Sequence, residues 1–357
     1  MDSFFIYREP FEEVCHCYTQ PEQPSAFSSL TALNGREGLV IAPFSCHTND
    51  KVYLLDGPKG TSVVLPLDGS EGFEAIPDWQ DDAVLTASSI AYREDYHNDF
   101  CRFHSELERN TFRKLVLARS VIEQKDEHMS PRDIFLNACS MYPRSYIALF
   151  YTPATGMWLI ASPEILLRGD AKGYQTMALA GTMRYAGEDM RWSDKNREEQ
   201  QLVTDYIRTC LQPFAMEITE SEPYTTRAAH LAHLRTDFRF LLKDRQRLGT
   251  FLTAFHPTPA VCGIPKDKAQ QFILSNEQLN RGYYSGFSGL LGENGTAKIY
   301  VTLRCMQLSR SACRLYAGGG LLKDSIEENE WLETESKLDT MRKLLIRDWP
   351  NKHYWPY

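Results

Sequence analysis

Two carboxylates and an ammonium recur near the end of the sequence at a spacing that could hold a cation and an anion together. Glu330, Glu333 and Lys337 stand at i, i+3 and i+7 within residues 325–345, and on a helix they share one polar stripe. Ser325 followed by Glu328 reads as a capping box that opens this helix. Trp331, Leu338, Met341 and Leu345 recur at helical spacing as its buried face. Just upstream, Ala317 is followed by Gly318, Gly319 and Gly320, a run that lets backbone approach a ligand closely. A solvated charged face after a loop accounts for the same residues, and for this segment alone it is the simpler account.

Further charged residues stand where charge is unusual. Lys114 lies in RKLVLAR, in phase with Val116 and Ala118. An edge lysine that blocks aggregation is the alternative there. Glu164 ends the apolar run MWLIASP, where burial would raise its pKa. A turn carboxylate in solvent is the alternative. Glu198 and Glu199 fall in the first turns of a helix expected over about 194–211, where acids commonly just offset the helix dipole. Arg304 is a lone cation among apolar residues of AKIYVTLRCMQL.

The elements that must position these groups are legible as blocks. Residues 1–86 read as short strands and turns, with VYLLD and TSVVLPL flanking Gly57-Pro58-Lys59-Gly60, and are expected to complete a sheet. Residues 87–110 read as a helix with Tyr96, Phe100, Phe103 and Leu107 inward and Asn110 as its cap. Ser130-Pro131 opens another, to about Tyr142. Residues 145–163 carry no charge over nearly a membrane span, but TPATG between YIALFY and MWLIA reads as a hairpin. YQTMALAGTMRY is a strand with a bend at Ala180-Gly181-Thr182, and HLRTDFRFLL alternates like a strand. Short helices are expected over 244–255 and from Pro265 to about Ser275. YYSGFSGLL and AKIYVTLRCMQL follow as strands, and RLYAG leads to the glycine run. Strands in runs and helices in separate blocks make an α+β chain with mainly antiparallel sheets.

Composition narrows the function. The chain has 357 residues, 43% apolar and 24% charged, as a soluble globular protein does. A net charge of −8 argues against a nucleic-acid partner, yet a locally cationic pocket could still bind a small anion. Nine cysteines, an odd number without a paired framework, suggest a reducing cytoplasmic setting. Cys15-His16-Cys17 lacks a second half with zinc spacing. The N-terminal MDSFFIYREP has no basic region or long apolar core, so no signal peptide is expected. The glycine run lacks the lysine of a phosphate loop, and no Gly-x-Ser-x-Gly elbow occurs.

Eight short motifs, taken in order, resemble the chorismate-utilising enzymes. They are RKLVLAR around Lys114, ASPEILLR around Glu164, LAGT at 179–182 and KNREEQQLV at 195–203. HPTPAVCGIPK at 256–266, RGYYSG at 281–286, TLR at 302–304 and YAGGG with EWLETESKL, ending at Leu338, complete the set. The family includes isochorismate synthases, salicylate synthases and the large components of anthranilate and aminodeoxychorismate synthases. The resemblance covers about residues 87–345, taken as the chorismate-binding catalytic region of a single globular unit. It implies two large, mainly antiparallel sheets packed face to face with helices outside, chorismate as substrate and Mg²⁺ as cofactor.

Residue by residue, the resemblance makes Lys114 a general base that activates water and Glu164 a general acid that protonates the departing hydroxyl. Glu199 and Glu333 match magnesium ligands, and Glu330 matches a carboxylate that meets the ion through water. Arg304 and Tyr284 match residues that hold the enolpyruvyl carboxylate. Lys337, the backbone of Gly318 and Gly320, Gly181, Thr182 and His233 match further substrate contacts. One departure is Glu199-Gln200, where the family usually has Glu-His.

Enzymes of the family that admit ammonia carry glutamine in place of Lys114, and aminodeoxychorismate synthases carry a lysine in the LAGT segment. Neither holds here, so water is the expected nucleophile, isochorismate the expected product, and no glutaminase subunit or membrane partner is expected. HPTPAV favours isochorismate synthases over salicylate synthases, which go on to eliminate pyruvate. Menaquinone biosynthesis is the expected use. A non-catalytic chorismate-binding relative would have lost Lys114, Glu164 or a magnesium glutamate, and none is lost.

Overall fold

A computed structural model of the chain describes residues 2–46, 50–67, 93–126, 128–185, 187, 191–228 and 231–346. The chain opens with β1 (Ser3–Arg8), β2 (Val14–Gln20), β3 (Ser25–Phe27), β4 (Gly38–Ala42), β5 (Val52–Leu55) and β6 (Thr61–Pro66). Helix α1 (Arg93–Glu108) follows; residues 87–92 of the expected helix lie outside the described residues. Asn110 takes a left-handed φ of 57° and ends it. After β7 (Lys114–Gln124), α2 (Pro131–Met141) starts on the capping box of Ser130 and Asp133. The hairpin is β8 (Tyr146–Thr152) and β9 (Gly156–Ser162), with Leu149 opposite Leu159.

Next come β10 (Ile165–Asp170), β11 (Gly173–Arg184), α3 (Asp194–Leu211), β12 (Ala215–Glu220), β13 (Tyr224–Ala228) and β14 (Leu231–Leu242). Then follow α4 (Leu248–Phe255), β15 (Gly263–Ile264), α5 (Lys266–Asn276), β16 (Phe287–Leu291) and β17 (Ala297–Val301). The series closes with β18 (Cys305–Leu308), β19 (Ala312–Leu321) and α6 (Glu327–Arg342).

The strands form two antiparallel sheets. The first runs β15-β7-β19-β18-β9-β8-β1-β2-β6, and the second β12-β14-β11-β10-β17-β16-β4-β5-β3 with β13 on β14. The N-terminal strands are therefore shared between the sheets. Phe5, Phe150 and Ile160 of the first sheet bury against Leu39, Ile41, Met177 and Tyr300 of the second. Each such side chain contributes about 1.5–3 kcal/mol on full burial. Helices α2 and α6 cover the outer face of the first sheet through Ile134, Phe135, Leu338 and Met341. Helices α3 and α4 cover the second through Val203, Ile207, Phe251 and Leu252. Among the described residues no helix is long and apolar enough to cross a membrane.

Three sequence expectations are corrected. AKIYVTLRCMQL is two strands: β17 belongs to the second sheet and β18 to the first. Between them Arg304 takes a φ of 45°, uncommon for a residue with a Cβ. The capping box at Ser325 does not form. Its Oγ accepts from Leu322 N at 3.0 Å, Glu328 pairs with Arg93, and α6 begins at Glu327. The glycine run is not a loop but the end of β19, with Gly318 opposite Ala118 and Gly320 opposite Val116 on β7.

The chain passes between the sheets at Pro163 and Glu164 as well, from β9 to β10. This passage and the one at Arg304 are hydrogen-bonded to each other. Ala161 N donates to Arg304 O at 2.9 Å, and Val301 N donates to Glu164 O at 3.1 Å. The site is built around this seam.

Candidate active site

Lys114 heads β7 and is 0% exposed. Its Nζ lies 2.8 Å from Oε1 of Glu199, on the second turn of α3. Gly320 makes room for this pair: a Cβ there would lie 2.2 Å from Glu199 Oε1 and 2.9 Å from Lys114 Cε. Gly318 faces the same way, and its Cβ would stand 2.8 Å from Tyr284 Oη. Gly319 faces the other way, where Glu330 Oε2 and Glu333 Oε1 lie 3.5 and 3.8 Å from the Cβ position. Stripped of side chains, β19 admits charged groups on both of its faces.

The polar stripe of α6 is buried against β19 rather than solvated. Lys337 Nζ donates to Gly318 O at 2.8 Å and to Glu333 Oε1 at 2.6 Å. Glu330 is almost fully buried and accepts from Lys195 on α3. Burial pushes the Glu330 carboxyl up, Lys195 pulls it down, Glu333 pushes it up again, and the net direction is upward. Burial also pushes Glu199 up, but Lys114, Lys195 and Lys337 outweigh it and hold the carboxyl below its usual range.

Glu164 sits on the β9–β10 passage, buried. Burial drives its carboxyl up to about 8, against the pull of Lys114, Arg304 and Lys337. It is therefore mostly protonated at neutral pH. Arg304, on the neighbouring passage, has Nη2 at 3.2 Å from His233 Nε2. A guanidinium can only donate, so Nε2 accepts and the ring proton is on Nδ1, which donates to Gly181 O at 3.1 Å. Burial, then Arg304 and Lys337, lower the His233 pKa well below its usual value, which keeps the imidazole neutral.

Gly181 has a φ of 66° and lies at a register shift between β11 and β14. The amide of Gln200 pins this bend. Ala180 N donates to its Oε1 at 2.9 Å, and its Nε2 donates to Ala178 O and Thr236 Oγ1, both at 3.1 Å.

A cleft is lined by Glu164, Gly181, Thr182, Glu199, His233, Tyr284, Arg304, Gly318, Gly320 and Lys337. Lys114 and Glu333 stand one ion pair behind this lining, on Glu199 and Lys337, and Glu330 is bound to Lys195. Sequence reasoning did not single out Lys195 or the buried pair Glu277–Arg281. Arg281 donates to Val116 O and Val261 O, while Glu277 accepts from Ala118 N, so the pair clamps the strand that carries Lys114. The signal for Lys195 was its place in the first turn of α3, where a cation opposes the helix dipole and needs another reason to be there.

Among the described residues no three acidic, histidine or cysteine side chains close around one point. The donor chemistry nevertheless fits Mg²⁺, which prefers carboxylate oxygen. The ammonium groups of Lys114, Lys337 and Lys195 stand against Glu199, Glu333 and Glu330, so each carboxylate already faces a cation.

A family model described as chorismate binding enzyme matches residues 74–346. The chain is 32% identical over 240 residues to the isochorismate synthase EntC of Escherichia coli, which covers 64% of this chain and 61% of that protein. The match thus spans about three fifths of EntC's length. It is 30% identical over 270 residues to the isochorismate synthase DhbC of Bacillus subtilis, covering 71% and 68%. The solved structure of MenF, the menaquinone-specific isochorismate synthase from Escherichia coli, matches with a TM-score of 0.77 at 22% identity, over 96% of this chain and 89% of that one. At that identity the likeness speaks to the fold.

Proposed function

The chain belongs to the family of chorismate binding enzymes, and we propose that it is an isochorismate synthase, adding water at C2 of chorismate as the C4 hydroxyl departs. The observation that supports this reading is a carboxyl held protonated near neutral pH, Glu164, within electrostatic reach of a fully buried lysine, Lys114. Lys114 acts as base from its neutral amine form, after giving up its ammonium proton, and takes a proton from the attacking water. Glu164, as acid, gives its proton to the leaving hydroxyl, which departs as water. Exchange with solvent resets both groups.

Arg304 and Tyr284 would hold the enolpyruvyl carboxylate, with neutral His233 keeping the guanidinium aimed. Lys337, the backbone of Gly318 and Gly320, Gly181 and Thr182 would make the remaining contacts. Glu199 and Glu333 would hold Mg²⁺, with Glu330 through water. The bound ion would supply positive charge that fixes the ring carboxylate. Water as nucleophile requires no glutaminase subunit. Residues 87–345 would form the catalytic region, with 1–86 completing it. Menaquinone synthesis is the proposed destination of the product and rests on the resemblance.

The test is incubation with chorismate and Mg²⁺, with chromatographic separation of products and an assay for pyruvate. Isochorismate without pyruvate is expected, and chelation with EDTA should stop its formation. Pyruvate release would replace the reading with salicylate synthase. No turnover would leave a chorismate-binding relative without catalysis.

A further inference from the structure

Four cations, Lys114, Lys195, Lys337 and Arg304, face three carboxylates, Glu199, Glu330 and Glu333, around β19. Three of the cations are fixed by their surroundings. Lys114 is wholly buried, Lys337 also donates to Gly318 O, and Arg304 is held against His233. Lys195 differs. Its side chain is 30% exposed while that of Glu330 is 2% exposed, so the lysine reaches from the rim onto a carboxylate below it. The charges of Glu330, Glu199 and Glu333 all act on it, so it senses the whole acidic cluster. It also stands in the first turn of α3, where the helix dipole opposes it.

On the reading of these carboxylates as a magnesium site, we propose that Lys195 is a displaceable counter-ion that sets the affinity of the site for a divalent cation. With no ion bound it neutralises Glu330, a carboxylate that could not stay charged and unpaired at that depth. When an ion arrives, the two positive charges repel at close range. The long methylene stem then lets the ammonium swing out to water, because part of the side chain already lies at the surface. Lys195 is thus a positioning residue for Glu330, and its removal leaves the ion as the partner that carboxylate lacks.

The experiment is calorimetric titration of the metal-free protein with MgCl₂, for wild type, Lys195→Met and Lys195→Arg, alongside melting temperatures with and without Mg²⁺. Lys195→Met should lower the Kd about tenfold, or ~1.4 kcal/mol, and its melting temperature should rise more on adding Mg²⁺ than that of wild type. Lys195→Arg, which keeps the charge, should bind as wild type does. If Lys195→Met does not fold, Lys195→Gln carries the same expectation. An unchanged or raised Kd in the uncharged variants, with Mg²⁺ still binding to wild type, overturns the counter-ion role alone. An absence of Mg²⁺ binding to wild type and variants alike overturns the metal reading beneath it.

Discussion

Lys114 and Glu199 meet at 2.8 Å although one heads a strand of the first sheet and the other rides a helix on the outer face of the second. The contact joins the two layers through the stretch of β19 that has no side chains. Removing one partner of a buried pair typically costs about 3–5 kcal/mol.

Lys114→Gln should reduce isochorismate formation by about 10²–10⁴-fold, the usual contribution of a general base. It should also lower stability, because Glu199 loses its nearest cation. Initial rates by product chromatography and urea unfolding measure the two effects. A variant that makes isochorismate at the wild-type rate would remove Lys114 from the mechanism.

On the proposed mechanism Glu164 sets an upper pH limit. Its carboxyl, at about 8 in the free protein, is protonated below that pH and ionised above it, so kcat/KM should fall with one-proton slope as pH rises through this value. Stability has the same sign. The folded pKa exceeds the unfolded one, so the contribution is full below the ordinary value of 4.5 and is lost as pH rises through about 8. Glu164→Gln should be slow at every pH, yet its melting temperature should fall less than that of wild type across this window. A flat wild-type kcat/KM from about pH 7 to 9 would contradict the acid role.

Gly320→Ala and Gly319→Ala should separate sharply. The first places a methyl 2.2 Å from Glu199 Oε1 and 2.9 Å from Lys114 Cε, and must displace one or both side chains from their paired positions. The second meets only ordinary contacts at 3.5 Å and beyond. Activity should collapse in Gly320→Ala and survive in Gly319→Ala, by the same product assay. Equal activity in both would mean the Lys114–Glu199 geometry is not needed.

Gln200→Leu should destabilise the chain by about 2 kcal/mol or more, since Ala180 N and Ala178 O lose their side-chain partner in the interior. It should also raise KM by loosening the bend at Gly181. Gln200→His, with at most one donor and one acceptor when neutral, should fall between the two. Denaturant midpoints and KM values decide this. A Leu variant as stable as wild type would show that the backbone finds other partners.

Local signals in the sequence located much of the frame. Ser130-Pro131 with Asp133, the turn between β8 and β9, and helix α3 are each decided by neighbours in the chain. The missed features depend on partners far away. AKIYVTLRCMQL reads as one strand with no turn residue inside it, because side-chain pattern says nothing about which sheet a strand joins. Ser325 has capping chemistry, but Arg93, distant in sequence, draws Glu328 away. The stripe of Glu330, Glu333 and Lys337 looks solvated until Lys195 and the Gly318 carbonyl are brought to it. The motif resemblance grouped Glu199, Glu330, Glu333 and Lys337 into one site, which periodicity could not do, but it did not bring in Lys195.

The two hydrogen-bonded passages at Glu164 and Arg304 make the cleft resemble a book held at its spine. Glu164 and Arg304 sit on the spine, where backbone hydrogen bonds tie one sheet to the other. Lys114 and Glu199 lie one on each cover, on β7 and on α3. A shift between the covers would therefore act on the Lys114–Glu199 distance, while the backbones that carry Glu164 and Arg304 are tied to each other directly.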